Sequence, residues 1–342
     1  MYQPSFVISP LLLRLLTEAT ELRAWIERSV IDVAWIPLLQ RETANRLSHS
    51  STSIEGNPLS LPLVEAVARG EETGAPVKAI LEVQNYLTAL QFIWAGPARG
   101  SIRETDLLAL HARVMKGLLP DEKRGRYKTV PNKVVDPQHR PIYIPPGPAK
   151  AAVLTQELLS WVNSPETRSQ HHPVLISGIA HHRLVSIHPF SDGNGRASRL
   201  LACWLLYRGG FDTHHLFAID DYYEADRQKY YDKLQQARDL DDDLSYWLEY
   251  MAEGIVLTLK KTKNRIESLD VQHASARLRL TPRQEMLLRI LRGKAWVSAA
   301  DLATALDVSR ERMSELLRPL IDAGVVVREG KTRAITYSLK KS

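Results

Sequence analysis

His188-Pro-Phe-Ser-Asp-Gly-Asn-Gly-Arg-Ala-Ser-Arg199 is a polar loop set between two apolar helical runs, Pro173–Val185 and Asn194–Arg208. Two glycines alternating with Asn free the backbone of Cβ clashes and let its N–H groups turn inward. The helix beginning there presents its own unpaired N–H groups to the same space, which makes an anion site suited to phosphate. Arg196 and Arg199 are three apart, share a helix face and can both reach phosphate oxygens. Asp192 is a candidate ligand for a Mg²⁺ ion bridging those phosphates. His188, just before the loop, has an ordinary pKa suited to taking a hydroxyl proton near neutrality. A bare Gly-x-Gly is usually only a turn between helices. Here a His, an Asp, an Asn and two Arg fall within twelve positions, and that combination points to chemistry.

Outward from the loop, apolar residues recur at three- and four-residue spacing and predict helices over 11–28, 30–47, 77–94, 105–118, 149–162, 222–240 and 243–262. The exception is Gly125–Pro146, rich in Pro and β-branched residues. It reads as two short strands, near Lys128–Val135 and Pro141–Ile144, around an Asp-Pro turn. Lys260–Asp270 is charged and reads as the tail of a helix serving as a linker. After it, Thr281–Leu291, Ser298–Leu306 with Ser298 as N-cap, and Ser309–Ala323 closed by Gly324 form three helices. A hairpin over 325–339 follows, turning at Glu-Gly-Lys. Three helices followed by a hairpin is the order of a winged helix-turn-helix.

Composition narrows the setting. The chain has 342 residues, 44% hydrophobic and 25% charged, which predicts folded domains rather than disorder. No apolar run approaches the ~18–20 residues that cross a bilayer, so no membrane partner is expected. The N-terminus lacks the layout of a signal peptide. Only one cysteine is present, Cys203, in an apolar run that reads as a buried, inert thiol. Together these predict a cytoplasmic protein. The net charge is +6, and from Thr281 to Ser342 twelve Lys/Arg face seven Asp/Glu, so most of the excess is C-terminal. That suits DNA or merely a solvated face. If DNA is bound through 280–342, Ser309–Pro319 is the recognition helix, with Arg310, Arg312 and Arg318 facing it and Lys331 and Arg333 in the wing. Interleaved Glu311 and Glu315 weaken a continuous basic face, and a docking module is the other reading.

The loop resembles the Fic motif, H-x-F-x-[DE]-G-N-G-R-x-x-R, at every fixed position, and the likeness extends from about Ile102 through Met251. It includes Gly125-Arg-Tyr and Ile144-Pro-Pro. The resemblance implies a mostly α-helical fold: a Fic-type core with a short β-hairpin flap, an N-terminal helical region and a C-terminal winged helix-turn-helix. The chain then divides into an N-terminal region (1–100), a Fic catalytic domain (101–256), a linker (257–279) and the winged helix (280–342). It also implies a protein adenylyltransferase, with ATP as co-substrate and Mg²⁺. His188 would deprotonate a Ser, Thr or Tyr hydroxyl of a protein target, or of the protein itself. Asp192 would hold the metal, and Gly193, Asn194 and Gly195 would form the anion hole, Asn194 also touching phosphate. Arg196 would take the β-phosphate, Arg199 the γ-phosphate, and Phe190 would anchor the loop in the core. The strands over 128–144 resemble the family's flap, which pairs with an extended target segment. Tyr230 and Tyr231 resemble a Tyr pair near the adenine pocket, with Tyr231 the one assigned to nucleotide. A homodimer is compatible with the family, although no interface signature stands out.

Upstream, Ser51-Thr-Ser-Ile-Glu55-Gly56 resembles the family's inhibitory motif, [ST]-x-x-x-E-[GN]. Ser51 and Glu55 share a helix face, and Gly56 suits a helix end. The resemblance implies that Glu55 pairs with Arg199 and denies it to the γ-phosphate. Two alternatives keep different parts of this picture: a DNA-binding regulator whose core only senses nucleotide, and a Fic enzyme that removes AMP or transfers another nucleotide. Among the other histidines, His181 and His182 read as packing or hydrogen-bonding residues, since no carboxylate or cysteine completes a metal set. His171-His172 reads as solvated, and His214-His215 has no partner pattern.

Overall fold

The computed structural model describes the chain except for residues 1, 30–34, 97–99, 136–139, 213, 271–279, 293–295, 331–334 and 341–342. Helices dominate. In chain order they are α1 (Pro10–Arg28), α2 (Ile36–Ile54), α3 (Leu61–Arg69), α4 (Val77–Ala95), α5 (Glu104–Val114), α6 (Pro148–Asn163), α7 (Pro165–Gln170), α8 (Pro173–Ile187), α9 (Asn194–Arg208), α10 (Asp220–Ala225), α11 (Arg227–Asp239), α12 (Ser245–Asp270), α13 (Pro282–Arg292), α14 (Ala299–Leu306) and α15 (Arg310–Asp322). The strands are β1 (Val134–Val135), β2 (Pro141–Tyr143), β3 (Val297–Ser298), β4 (Val326–Glu329) and β5 (Thr336–Leu339). The chain divides into two compact units, one comprising Met1–Ala24 with Glu42–Thr262, the other Trp25–Arg41 with Lys263–Ser342.

The first unit is built around α8. Every residue of that helix except Pro173 and Arg183 is buried, so the periodic amphipathic signal is nearly absent and the helix serves as core. Its start is fixed by Pro173 and by His172, whose ring Nδ1 accepts from Val174 N–H at 3.2 Å. Gly178 lets α12 come close, since a Cβ there would meet Met251 and Leu248. Buried Trp247 uses that approach to donate to Gly178 O at 2.8 Å. α8 packs chiefly on α9, and α5 and α4 lie against α9. Leu59, Val64, Val67, Ala79 and Val83 seal α3, a helix beyond those the apolar spacing predicts, onto α4.

Several boundaries differ from expectation for local reasons. The helix expected over 222–240 is two helices, because Asp226 leaves helical geometry and caps α11 by accepting from Lys229 N–H at 3.0 Å. The strand expected over 128–135 shrinks to Val134–Val135, pairing antiparallel with β2. Its earlier residues bond elsewhere: Lys128 N–H donates to Pro189 O at 2.8 Å and the Asn132 amide to Phe190 O at 3.0 Å. The Asp-Pro turn between the strands lies outside the described residues. His171 and His172 are not simply solvated, since His171 lies edge-on to Phe6 and His172 Nε2 is 3.0 Å from Thr20 Oγ1. His215 does have partners: it is buried, 2.9 Å from Asp212 and stacked on Trp94. Cys203 is partly rather than fully buried. Desolvation, reinforced by Asp220, still pushes its thiol well above the ordinary value.

In the second unit, α13, α14 and α15 precede a hairpin in the expected order, and β3 adds a third strand that gives the sheet order β3-β5-β4. Leu287, Leu291, Leu302, Met313, Leu316, Leu320 and Val326 make its core. Ser298 and Ser309 cap α14 and α15 by accepting from Asp301 N–H and Arg312 N–H, each at 3.2 Å. Lys331 and Arg333 lie outside the described residues. Among the described residues no helix is long and apolar enough to cross a membrane.

Candidate active site

His188 closes α8 in the left-handed region, at φ 52° and ψ 56°. A residue with a Cβ pays roughly 1–2 kcal/mol for that conformation, so the surrounding bonds must hold it there. The ring's Nδ1 lies 3.2 Å from Val185 O. A carbonyl only accepts, so Nδ1 carries the proton and Nε2 keeps its lone pair. Burial pushes the imidazole down to about 4; the Val185 bond opposes the shift, while Lys128 and Arg238 add to it. At neutral pH the ring is therefore an uncharged acceptor.

The loop after it is locked from within. Phe190 is wholly buried and stacks on the His111 ring, centroids 3.8 Å apart. Asn194 accepts from Phe190 N–H at 2.8 Å and donates to Phe190 O at 2.9 Å. Its side chain is thus spent on the loop, and what Asn194 can offer an anion is its backbone N–H at the start of α9. Gly193 needs both of glycine's freedoms: its φ is +75°, and a Cβ would meet Met115 Sδ at 2.5 Å. Asp192 accepts from Gly193 N–H at 2.5 Å, yet its side chain is 63% exposed.

The two arginines are buried and treated differently. Arg199 is 1% exposed and held through Nε and Nη2. Nε donates to Ser51 Oγ at 2.7 Å, and Nη2 donates to Ser51 O at 2.9 Å and Glu55 Oε1 at 2.8 Å. Behind it Asp220, wholly buried, lies 3.8 Å from Nε and accepts from Tyr86 O–H at 2.9 Å. Burial pushes the Asp220 carboxyl up to about 6, with Arg199 opposing. Burial would also raise Glu55, but Arg199 and Arg196 outweigh it and hold that carboxyl below its ordinary value. Arg196, by contrast, has two N–H-bearing nitrogens, Nε and Nη1, without a hydrogen bond. Its nearest acids are Glu82 at 3.6 Å and Asp192 at 3.9 Å.

Residues 101–206, which carry this loop and the helices holding it, match the Fic/DOC family. The chain therefore carries a Fic-type domain over these residues. It is 34% identical to the protein adenylyltransferase Fic of Drosophila willistoni over 214 residues, 62% of this chain and 40% of that protein. With the protein adenylyltransferase Fic of Aedes aegypti it shares 33% identity over 215 residues, again 62% of this chain and 40% of the relative. The chain thus spans about two fifths of the length of these curated relatives. A Fic family protein from Desulfovibrio desulfuricans G20 superposes with a TM-score of 0.68 at 26% identity, covering 100% of this chain and 99% of that one.

Upstream of this domain, Ser51 and Glu55 both bond Arg199, and Gly56 sets the turn that follows Glu55. α2 ends at Ile54, Gly56 turns at φ +93°, and Glu55 reaches the start of α9 over Gly195. A Cβ at Gly195 would collide with Glu55 Oε1, so that glycine makes room for the carboxylate. α2 is fastened to α10: Arg46 pairs with Asp221, Ser50 donates to Asp221 at 2.7 Å, and Ser53 donates to Glu224 at 3.2 Å. Tyr231, partly buried, donates to Ile54 O at 3.2 Å, while Tyr230 is core, 3.0 Å from His181 and 3.5 Å from Arg199. His182 bonds Leu234 O, so both adjacent histidines are spent on packing.

Among the described residues no group of three or more His, Cys, Asp or Glu could hold a metal. Asp192 alone offers an exposed hard-oxygen donor at the loop, which fits Mg²⁺ held mainly by phosphates and water rather than by a protein cage. Sequence reading missed His111, Asp220 and Glu82. His111 accepts from Gly125 N–H at Nδ1 and so donates from Nε2 to Asp192 O at 2.9 Å, tying the Fic loop to the segment before β1. Its only sequence signal is a His on the apolar face of a helix.

Proposed function

We propose that the protein transfers AMP from ATP to a Ser, Thr or Tyr hydroxyl of a protein, and that Glu55 restrains the transfer. The observation that carries this reading is the neutral His188, its Nε2 lone pair unspent, beside a helix N-terminus flanked by two buried arginines. In the transfer, His188 Nε2 takes the hydroxyl proton while the hydroxyl oxygen bonds to the α-phosphorus. The bond from that phosphorus to its bridging oxygen breaks, and pyrophosphate leaves with the electron pair. Arg196 holds the β-phosphate and Arg199 the γ-phosphate, each in charge-assisted bonds. Backbone N–H groups of Gly193, Asn194 and Gly195 line the anion hole, and Tyr231 faces the nucleotide. Mg²⁺, bound with ATP at Asp192, supplies charge neutralisation along the phosphates. An extended target segment pairs with the flap over 128–144, whose Val135 and Ile142 are exposed.

Restraint follows from Arg199. A guanidinium donating to Ser51 and Glu55 has no fork left for a γ-phosphate. Incorporation of label from ATP tests both halves. Glu55→Gly raises labelling strongly. Adding His188→Ala abolishes it, since a positioned base is worth about 10²–10⁴ in rate. Equal labelling by wild type and Glu55→Gly would remove the brake from this reading. Mass spectrometry with each nucleotide separates AMP transfer from transfer of another nucleotide, and loss of mass from a modified target identifies AMP removal.

For the C-terminal unit we propose DNA binding through α15. Arg310, Arg312 and Arg318 are all exposed on that helix, although Arg312 is shared with Glu315 at 2.5 Å.

A further inference from the structure

Glu82 stands in the second turn of α4, with 13% of its side chain exposed. One oxygen, Oε2, accepts from the Asn57 amide at 2.8 Å. The other, Oε1, stops 3.6 Å from Arg196 Nη1. That is close enough for a strong charge interaction in a dry site and too long for a hydrogen bond. Arg196 is 5% exposed, and its Nε and Nη1 have no hydrogen-bond partner. Unspent donors on a buried cation are costly unless something waits to use them. Glu82 therefore offsets the charge of Arg196 without consuming its donors. Glu55, at 2.8 Å, takes one of the Arg199 Nη2 donors, and Ser51 takes the other together with Nε.

We infer that Glu82 is a positioning residue that holds Arg196 ready for phosphate and away from Asp192, and that Asn57 sets its place. This inference rests on the nucleotide site proposed above. Asn57 is buried and fixed on every side. Its N–H donates to Thr52 O at 3.0 Å, its amide also donates to Ala79 O at 3.0 Å, and its Oδ1 accepts from Leu59 N–H at 3.0 Å. It lies two residues beyond Glu55 with only Gly56 between. The segment that presents Glu55 to Arg199 thereby also places Glu82 against Arg196. Asp192 competes for the same guanidinium from 3.9 Å. Without the Glu82 charge, Arg196 pairs with Asp192, and one step removes both a phosphate donor and a metal ligand.

The test is ATP binding by calorimetry on the full chain, with and without Mg²⁺, in the Glu55→Gly background. Glu82→Gln keeps an oxygen for Asn57, so its melting temperature stays with the parent. We expect it to weaken Mg²⁺-ATP binding about tenfold, the usual loss when a ligand's supporting partner is removed. We also expect a higher Mg²⁺ concentration at half-saturation, with Glu82→Asp recovering part of both. In an Arg196→Ala background the effect of Glu82→Gln disappears. Unchanged ATP affinity in Glu82→Gln overturns the inference, and so does an equal loss with Arg196 absent. If ATP binds as expected and no protein is labelled, the transfer reading fails and Glu82 keeps its role.

Discussion

His188 carries the largest demand on a single residue. The left-handed backbone places it, Val185 O fixes its tautomer, and burial keeps it neutral. An unperturbed imidazole loses half its base form near pH 6.5. Here the shift down to about 4 moves that loss well into acid. With His188 as the proposed base, the neutral form is the active one, a lowered pKa widens the range where it dominates, and activity drops only as pH falls through the lowered value. In Glu55→Gly, the pH profile of labelling should show no His188 limb between pH 5.5 and 7.5. A limb near 6.5 would show the ring to be solvated in the working state. The loop residues were legible because their chemistry is written contiguously, from His188 to Arg199. Glu82, Asp220 and His111 were not, because each stands alone in a helical pattern. There a Glu reads as solvated face, an Asp as first-turn charge and a His as core. Only folding brings them to the loop.

At the scale of elements, the proposed brake is a helix held by another helix. α2 meets α10 through Arg46–Asp221, Ser50–Asp221 and Ser53–Glu224, none of which touches the Fic loop. The Arg46 side chain is 34% exposed, so solvent screens the pair. Its loss is worth about 1 kcal/mol, a roughly fivefold shift in the balance between held and released α2. Asp221→Asn should therefore raise labelling by a few fold, less than Glu55→Gly, without changing the KM for ATP in a Glu55→Gly background. No rise would mean that α2 stays docked by other contacts. Most helices were legible from apolar spacing, including α9 to the residue and the Ser298 cap of α14. The misreadings have one kind of cause: Asp226 capping α11, and Lys128 and Asn132 bonding the Fic loop instead of a strand, are side-chain and long-range choices that local propensity does not encode.

For the whole molecule, charge divides unevenly along the chain. The net is +6, and from Thr281 onward basic residues outnumber acidic ones twelve to seven. That excess sits on a unit with its own core, two Ser-capped helices and a three-stranded sheet. Fold order alone does not make a nucleic-acid reader, and Glu311 and Glu315 on α15 work against one. Salt dependence decides the matter, because phosphate contacts release counterions while protein docking releases few. Each phosphate neutralised adds about 0.9 to the slope of log affinity against log salt. With Arg310, Arg312 and Arg318 engaged, gel shifts of the full chain on duplex DNA should show a slope of about −3 or steeper. Arg318→Ala should make the slope shallower by about one while leaving Glu55→Gly labelling unchanged. No binding at low salt would leave the unit as a protein-docking module, with α15 offering its arginines to an acidic surface instead.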